Sequence, residues 1–264
     1  MATVNADSSL RDKVAAHFSE AFRQIGKAAG SEAYAEGQGW HRIHTRLPHF
    51  LANVGIVESG ADLKALQAAV EPLVSPTISS SLLFQSSDVS DQAIALLAGN
   101  GFYRLGAMPL MTIDIRRLPD TKLVEGFDLI RVGTPDAKAW GQALADGYGL
   151  PAEVGAMCAA LIGRKGIEAY AAVQNDRIVS TSMAYLHDGL AGIYWVATIR
   201  EARGRGIGRH MTAFPLRVAS EKGYAVGVLQ STEMGYSVYR NLGFEEVGAV
   251  PLFARLIGPA QGPS

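Results

Sequence analysis

Ten residues, Arg200 to Arg209, hold four arginines (Arg200, Arg203, Arg205 and Arg209) with Gly204, Gly206 and Gly208 set among them. Glycine has no Cβ, so its backbone N–H can come close to a ligand and can take positive φ. A helix opening just behind such a turn adds unpaired N–H donors and the positive end of its dipole. Guanidinium groups complete the set, because their planar fork matches phosphate oxygens two at a time. The pattern is that of a pyrophosphate cradle, although a glycine-rich turn can also serve packing alone. A Walker A loop needs Lys and then Ser or Thr after its last glycine, where Arg209 and His210 stand here. A dinucleotide fingerprint needs a third glycine in the register of Met211. Neither fits.

The turn must be positioned by a strand before it and a helix after it. Tyr194-Trp195-Val196-Ala197-Thr198 ends a strand over 190–197, and Ile207, Met211, Phe214 and Val218 mark one face of a helix over 206–222. Pro215 inside that helix costs about 3 kcal/mol or forces a kink, so a bend is expected. A strand at 224–229, a helix at 233–242 and a strand at 244–256 follow. Upstream, the pattern predicts strands at 126–132, 167–174 and 177–187 and helices at 135–147 and 151–163. The first half reads as a helix over 8–29, strand and loop over 33–58, a helix at 61–74, a strand at 77–85, a helix at 88–98 and a strand at 102–115. Arg116-Arg117-Leu118-Pro119-Asp120 is read as a connection between domains, and the Gly- and Pro-rich tail after Gly258 as frayed. NGFYRLGAMPLM at 100–111 aligns without gaps to LGFEEVGAVPLF at 242–253, with six of twelve positions identical at a constant offset of 142. A helix ending in Gly-Phe and running into a strand ended by proline thus occurs twice, the mark of a duplicated α/β unit.

With these elements in place, the chain resembles the GNAT superfamily of acyl-CoA-dependent N-acetyltransferases. Arg203-Gly204-Arg205-Gly206-Ile207-Gly208 matches the family's Arg/Gln-x-x-Gly-x-Gly/Ala motif, and Tyr239-Arg240-Asn241-Leu242-Gly243-Phe244 matches its Tyr-x-x-x-Gly-Phe. The resemblance implies an α/β (α+β) fold of two tandem GNAT-like domains, each a mixed, mostly antiparallel twisted sheet flanked by helices. Residues 1–120 would be a degenerate copy and 121–264 the catalytic one. It further implies acetyl-CoA as co-substrate, its pantetheine amides paired with the main chain of Trp195, Val196 and Ala197. Its pyrophosphate would lie on Arg203, Gly204, Arg205, Gly206, Ile207, Gly208 and Arg209. Thr232 stands where the family often has an Asn against the pantetheine arm, though it or Ser231 could be only a helix cap. Tyr239 would protonate the departing thiolate; its other reading is an amphipathic helix residue on the core. Offset by 142, Leu97 stands in place of Tyr239 and residues 61–66 lack the glycines and arginines, so the first copy is read as structural.

Composition narrows the acceptor. The 264 residues carry 24 Lys+Arg against 25 Asp+Glu, a net charge of −1, which suits a small-molecule amine better than nucleic acid or a histone tail. A chain of this length buries roughly 70–75% of its unfolded surface and needs no staples. Cys158, the single cysteine, lies in an apolar helix and offers no disulfide; direct attack in a ternary complex is expected over an acyl-cysteine route. The six histidines (17, 41, 44, 49, 187 and 210) show no metal spacing, so no metal is expected. No stretch approaches the ~18–20 apolar residues of a membrane helix, and the polar opening is read as carrying no leader, giving a cytoplasmic monomer or homodimer. Candidate bases are Asp146, Glu153, His187, Asp188 and Glu233, with His187-Asp188 equally readable as a turn. His41 and His44, with Arg42 and Arg46, are read as a solvated strand face. Tyr148, Tyr170, Tyr185, Tyr194 and Trp195 are read as core or cleft lining, and Asp146 to Pro151 as a loop toward the acceptor. The competing reading is an acyl-CoA sensor or scaffold without turnover.

Overall fold

A computed structural model describes residues 3–122 and 124–258. Its elements follow the hydrophobic periods closely. They are α1 (Thr3–Ala29), β1 (Tyr34–Gly37), β2 (Trp40–His44), β3 (Asn53–Val57), α2 (Leu63–Val70), β4 (Ser80–Phe84), α3 (Asp91–Gly99) and β5 (Tyr103–Asp114) in the first half. The second half has β6 (Asp128–Val132), α4 (Ala137–Tyr148), α5 (Ala152–Ala159), β7 (Ile167–Gln174), β8 (Arg177–His187), β9 (Leu190–Thr198), α6 (Ile207–Glu221), β10 (Val226–Gln230), α7 (Glu233–Asn241) and β11 (Glu245–Arg255). The helix expected over 61–74 ends early: Pro72, lacking an N–H, sits in a 3-10 turn, Glu71–Leu73, that closes α2. The helix expected to run to 163 stops as α5 at Ala159. α6 continues through Pro215.

By its contacts the chain forms two compact units, one of the described residues up to Pro109 and from Val247 onward, the other of Leu110–Glu246. This division runs through β5 and β11, where the sequence reading draws its line at 120. Within the first unit the strand order is β1-β2-β3-β4-β11: β1, β2 and β3 antiparallel, β4 parallel to β3, β11 antiparallel to β4. Within the second it is β6-β7-β8-β9-β10-β5, again antiparallel up to β9, with β10 parallel to β9 and residues 110–114 of β5 antiparallel to β10. Both sheets are mixed and flanked by helices. The two stretches at offset 142 fold alike. Ser90 and Thr232 each cap a helix, Gly101 and Gly243 each take positive φ after it, and Phe102 and Phe244 are both buried.

In the second unit, the side of the sheet that α6 covers is closed by Met111, Ile113, Ile193, Leu216, Leu229 and Phe244. The segment read as a domain connection is tied down: Arg217 of α6 donates to the carbonyls of Pro119 and Thr121, at 2.6 and 3.4 Å. The first unit keeps its own core, with Leu66, Val70 and Leu73 against Leu82, Phe84, Leu97 and Phe253. Here α2 carries its own anion, since Asp62 accepts from Ala65 N–H at 2.8 Å and fills the helix N-terminus with a carboxylate.

One expectation fails in this unit. His41 is not on a solvated face but fully buried, its Nε2 2.9 Å from Ser19 Oγ. Arg42 lies over the Trp40 ring at 5.0 Å and donates to Ala68 O. The strand alternates, and α1 covers the side that His41 occupies. Burial, then the nearby Arg23 charge, pulls the His41 imidazole down to about 3. It is therefore neutral when folded, whereas unfolded it titrates near 6.5. Its contribution is complete above pH 6.5 and is lost as the pH falls from there toward 3, by up to about 1.4 kcal/mol per pH unit. His44 and His49 are lowered by burial in the same direction. Urea unfolding at pH 7 and pH 5 should show this loss, and His41→Gln should show less of it.

Candidate active site

The cleft begins where two strands part. β9 and β10 pair from Leu190↔Val226 to Ile193↔Leu229 and no further. On its other side β9 stays with β8, but the register shifts between Thr181 and Met183, and Trp195 takes φ 51. This β-bulge inserts one residue and bends the strand away from β10. Beyond it, Ile199 N–H donates to Val179 O at 3.0 Å and so faces β8. Strand alternation then turns the main chain of Val196 and Thr198 to the opposite edge, the one β10 has left. Two side chains reach these groups: Tyr148 Oη donates to Val196 O at 3.0 Å, and Arg203 Nε donates to Thr198 O at 3.0 Å.

The glycine turn follows directly. Gly204 and Gly206 have φ of 75 and 76, and nothing lies within 4 Å of a Cβ built on either. Gly206 is the N-cap of α6 and, having no side chain, leaves the first turn of N–H groups uncapped. Arg205 and Arg209 are exposed, Arg205 lying over the Phe127 ring at 5.2 Å. Ile207 is buried in the core beside Met211. Arg203 is used differently from its neighbours. Its Nη2 donates to Gly147 O at 2.6 Å, so one guanidinium ties the end of α4 to the end of β9. Gly147 permits this approach, as a Cβ there would stand 2.8 Å from that of Ala197.

Across the cleft mouth, Thr232 caps α7, its Oγ1 accepting from Gly235 N–H at 3.3 Å. Tyr239 lies one turn beyond Gly235, and its ring folds back along the helix. A Cβ on Gly235 would meet Tyr239 Cε2 at 2.8 Å and Oη at 3.4 Å. Phe244 supports the ring edge-on at 6.0 Å. Burial pushes the Tyr239 phenol up to about 12. The Tyr148 phenol is raised as well, because its hydroxyl end is held among protein atoms although part of the ring is exposed. Cys158 is buried and pushed up to about 12, so it is no thiolate nucleophile near neutrality.

The base candidates do not gather here. Asp146 accepts from Gln142 and lines a hollow of about 450 Å³ with Asp136, Asp176 and Arg177, away from β10. Asp188 (φ 46) forms the β8–β9 turn, and His187 stacks on Tyr185 at 5.2 Å. Glu153 and Glu233 are exposed in the first turns of α5 and α7. Among the described residues no group of three His, Cys, Asp or Glu could hold a metal, and no helix is long and apolar enough to cross a membrane. The bulge at Trp195 and the roles of Tyr148 and Gly235 are not in the motif reading. Of these, only Gly235, one turn before Tyr239, has a spacing that could have shown its role.

Residues 136–247 match the family model of the acetyltransferase (GNAT) domain. No curated protein matches the chain. Among solved structures, it is similar to a GCN5-related N-acetyltransferase from Kribbella flavida, at 18% identity over 92% of this chain and 96% of that one, with a TM-score of 0.62. It is also similar to a GCN5-related N-acetyltransferase from Sphaerobacter thermophilus, at 19% identity over 84% and 78%, TM-score 0.60. A tandem GNAT protein from the clavulanic acid biosynthesis pathway aligns at 19% identity over 84% and 79%, TM-score 0.52. At such identities the likeness is one of fold. The domain match supports acetyl transfer in general.

Proposed function

We propose that the second unit transfers an acetyl group from acetyl-CoA to the amine of a small molecule, by direct attack in a ternary complex. The observation that carries this reading is the open edge of β9 at Val196, running straight into the uncapped first turn of α6. An extended chain bearing amides suits the first and a pyrophosphate the second. Val196, flanked by Trp195 and Ala197, would hold the amides; Gly204, Gly206, Ile207 and Gly208 would hold the phosphates through backbone N–H, with Arg205 and Arg209 beside them. Arg203 would act as the clamp that keeps the cradle against β9, and the Thr232 hydroxyl, while capping α7, keeps a proton to donate. Acetyl-CoA would supply the activated thioester.

Tyr239 carries its proton throughout the neutral range, because burial disfavours the phenolate. An ordinary thiol titrates near 8.5, well below a phenol at about 12. Tyr239 therefore donates a hydrogen bond to the charge that develops on sulfur, rather than completing a proton transfer. Among the described residues no carboxylate or imidazole is hydrogen-bonded to Tyr239, and the amine would lose its proton to solvent or enter already neutral. We further propose that residues 1–120 and 121–264 derive from one duplicated unit, supported by the matching strand directions and helix caps. The first copy, with Leu97 in the core and Asp62 on its α2 terminus, would bind no phosphate. A cytoplasmic monomer or homodimer remains our expectation.

Calorimetry with acetyl-CoA, followed by free-thiol release against a panel of small amines, tests the reading. Tyr239→Phe should lower turnover by about a hundredfold or more, as loss of one donor to developing charge does, and leave acetyl-CoA affinity nearly unchanged. Unchanged turnover would remove the donor role. Binding without thiol release on any amine would favour the sensor.

A further inference from the structure

Tyr148 ends α4, and its hydroxyl donates to the carbonyl of Val196 at 3.0 Å. That carbonyl lies on the one stretch of β9 edge with no strand beside it, where the proposed amide pairing would form. The backbone on either side of Tyr148 is held. Gly147 O accepts from Arg203, the Gly147 Cα packs against Ala197, and Leu150 N–H donates to Ala145 O at 2.9 Å. The segment therefore cannot swing as a loop. The part left to move is the Tyr148 side chain, 36% of whose surface is exposed.

We infer that Tyr148 is a side-chain stopper on this edge: it satisfies Val196 O until a ligand with a secondary amide N–H, of the pantetheine kind, takes its place. This rests on the proposed function. Binding then exchanges one donor for another at a single acceptor, and the Tyr148–Val196 hydrogen bond is broken each time the cleft fills. A group that competes with the ligand lowers its affinity, and removing the competitor raises it. The hydroxyl alone is the competitor, since a phenyl ring has nothing to donate.

Calorimetric titration of acetyl-CoA into the wild type and Tyr148→Phe, with thermal unfolding of both, tests the exchange. Loss of one neutral hydrogen bond corresponds to roughly a two- to tenfold change, so Tyr148→Phe should bind acetyl-CoA two- to tenfold more tightly. Should that variant unfold, Tyr148→Leu, which keeps apolar bulk without a donor, should show the same gain. An unchanged affinity would make Tyr148 a strut only, and a weaker one would make it a direct contact of the bound ligand; either overturns the inference while leaving the proposed function standing. A wild type that binds no acetyl-CoA overturns both.

Discussion

Gly206→Val is expected to weaken acetyl-CoA binding by at least about a hundredfold, as loss of several charge-assisted hydrogen bonds would, while the protein still folds. Gly206 sits at φ 76, and no atom lies within 4 Å of the position a Cβ would take. The Cβ of the substituted residue therefore meets nothing in the folded chain. Its cost is conformational, since a β-branched residue in the left-handed region loses roughly 1–2 kcal/mol. Relief of that strain would pull the turn toward negative φ and redirect the N–H groups of Gly206, Ile207 and Gly208 away from a common point. Branched methyl groups would also stand in the open space before the helix terminus, where a phosphate must come close. Calorimetry reads the affinity, and a thermal melt reads the strain, at roughly 2–4 °C per kcal/mol for a chain of this size. A lowered melting point with undiminished affinity would show that the turn only packs, and would remove the central claim about this protein.

Gly235→Ala should depress turnover by tenfold or more without destabilising the chain, on the scale of displacing a positioned hydrogen-bond donor from developing charge. An added methyl would stand 2.8 Å from Tyr239 Cε2, closer than carbon atoms approach, so the ring must leave its present place against Phe244. Alanine is the better helix former by about 1 kcal/mol, which offsets the repacking and separates this variant from a merely damaged one. Affinity for acetyl-CoA should fall by no more than about tenfold, because α7 supplies no group to the phosphate cradle and one lost hydrogen bond bounds the change. Combined with Tyr239→Phe, the alanine should add little, since both changes act on the same phenol. If the two losses multiply instead, Gly235 matters for something other than Tyr239.

Both expectations join a feature written in the sequence to one that was not. The order and type of the elements were legible residue by residue: Val14, Phe18, Ala21 and Ile25 line one face of α1, and each is buried. The glycine turn was legible as well, since glycine takes φ near 75 without the strain a Cβ brings and a helix terminus leaves donors free behind it. These are local properties, set by neighbours in the chain. Tertiary structure alone decided which surfaces the side chains meet. His41 looks like a polar residue on an exposed strand until α1 covers it. Arg203 looks like a phosphate ligand, and only the approach of α4 to β9 gives it the carbonyls of Gly147 and Thr198 as partners. Tyr148 stands 48 residues before Val196, and no periodicity relates them. The partners of β4 and β10 were likewise hidden: β11 completes the sheet of one unit and β5 that of the other, although each lies far along the chain from its partner. Local sequence sets where the backbone can turn and which face is apolar. Which strands part, and what fills the edge they leave, depends on packing among residues that the sequence keeps far apart.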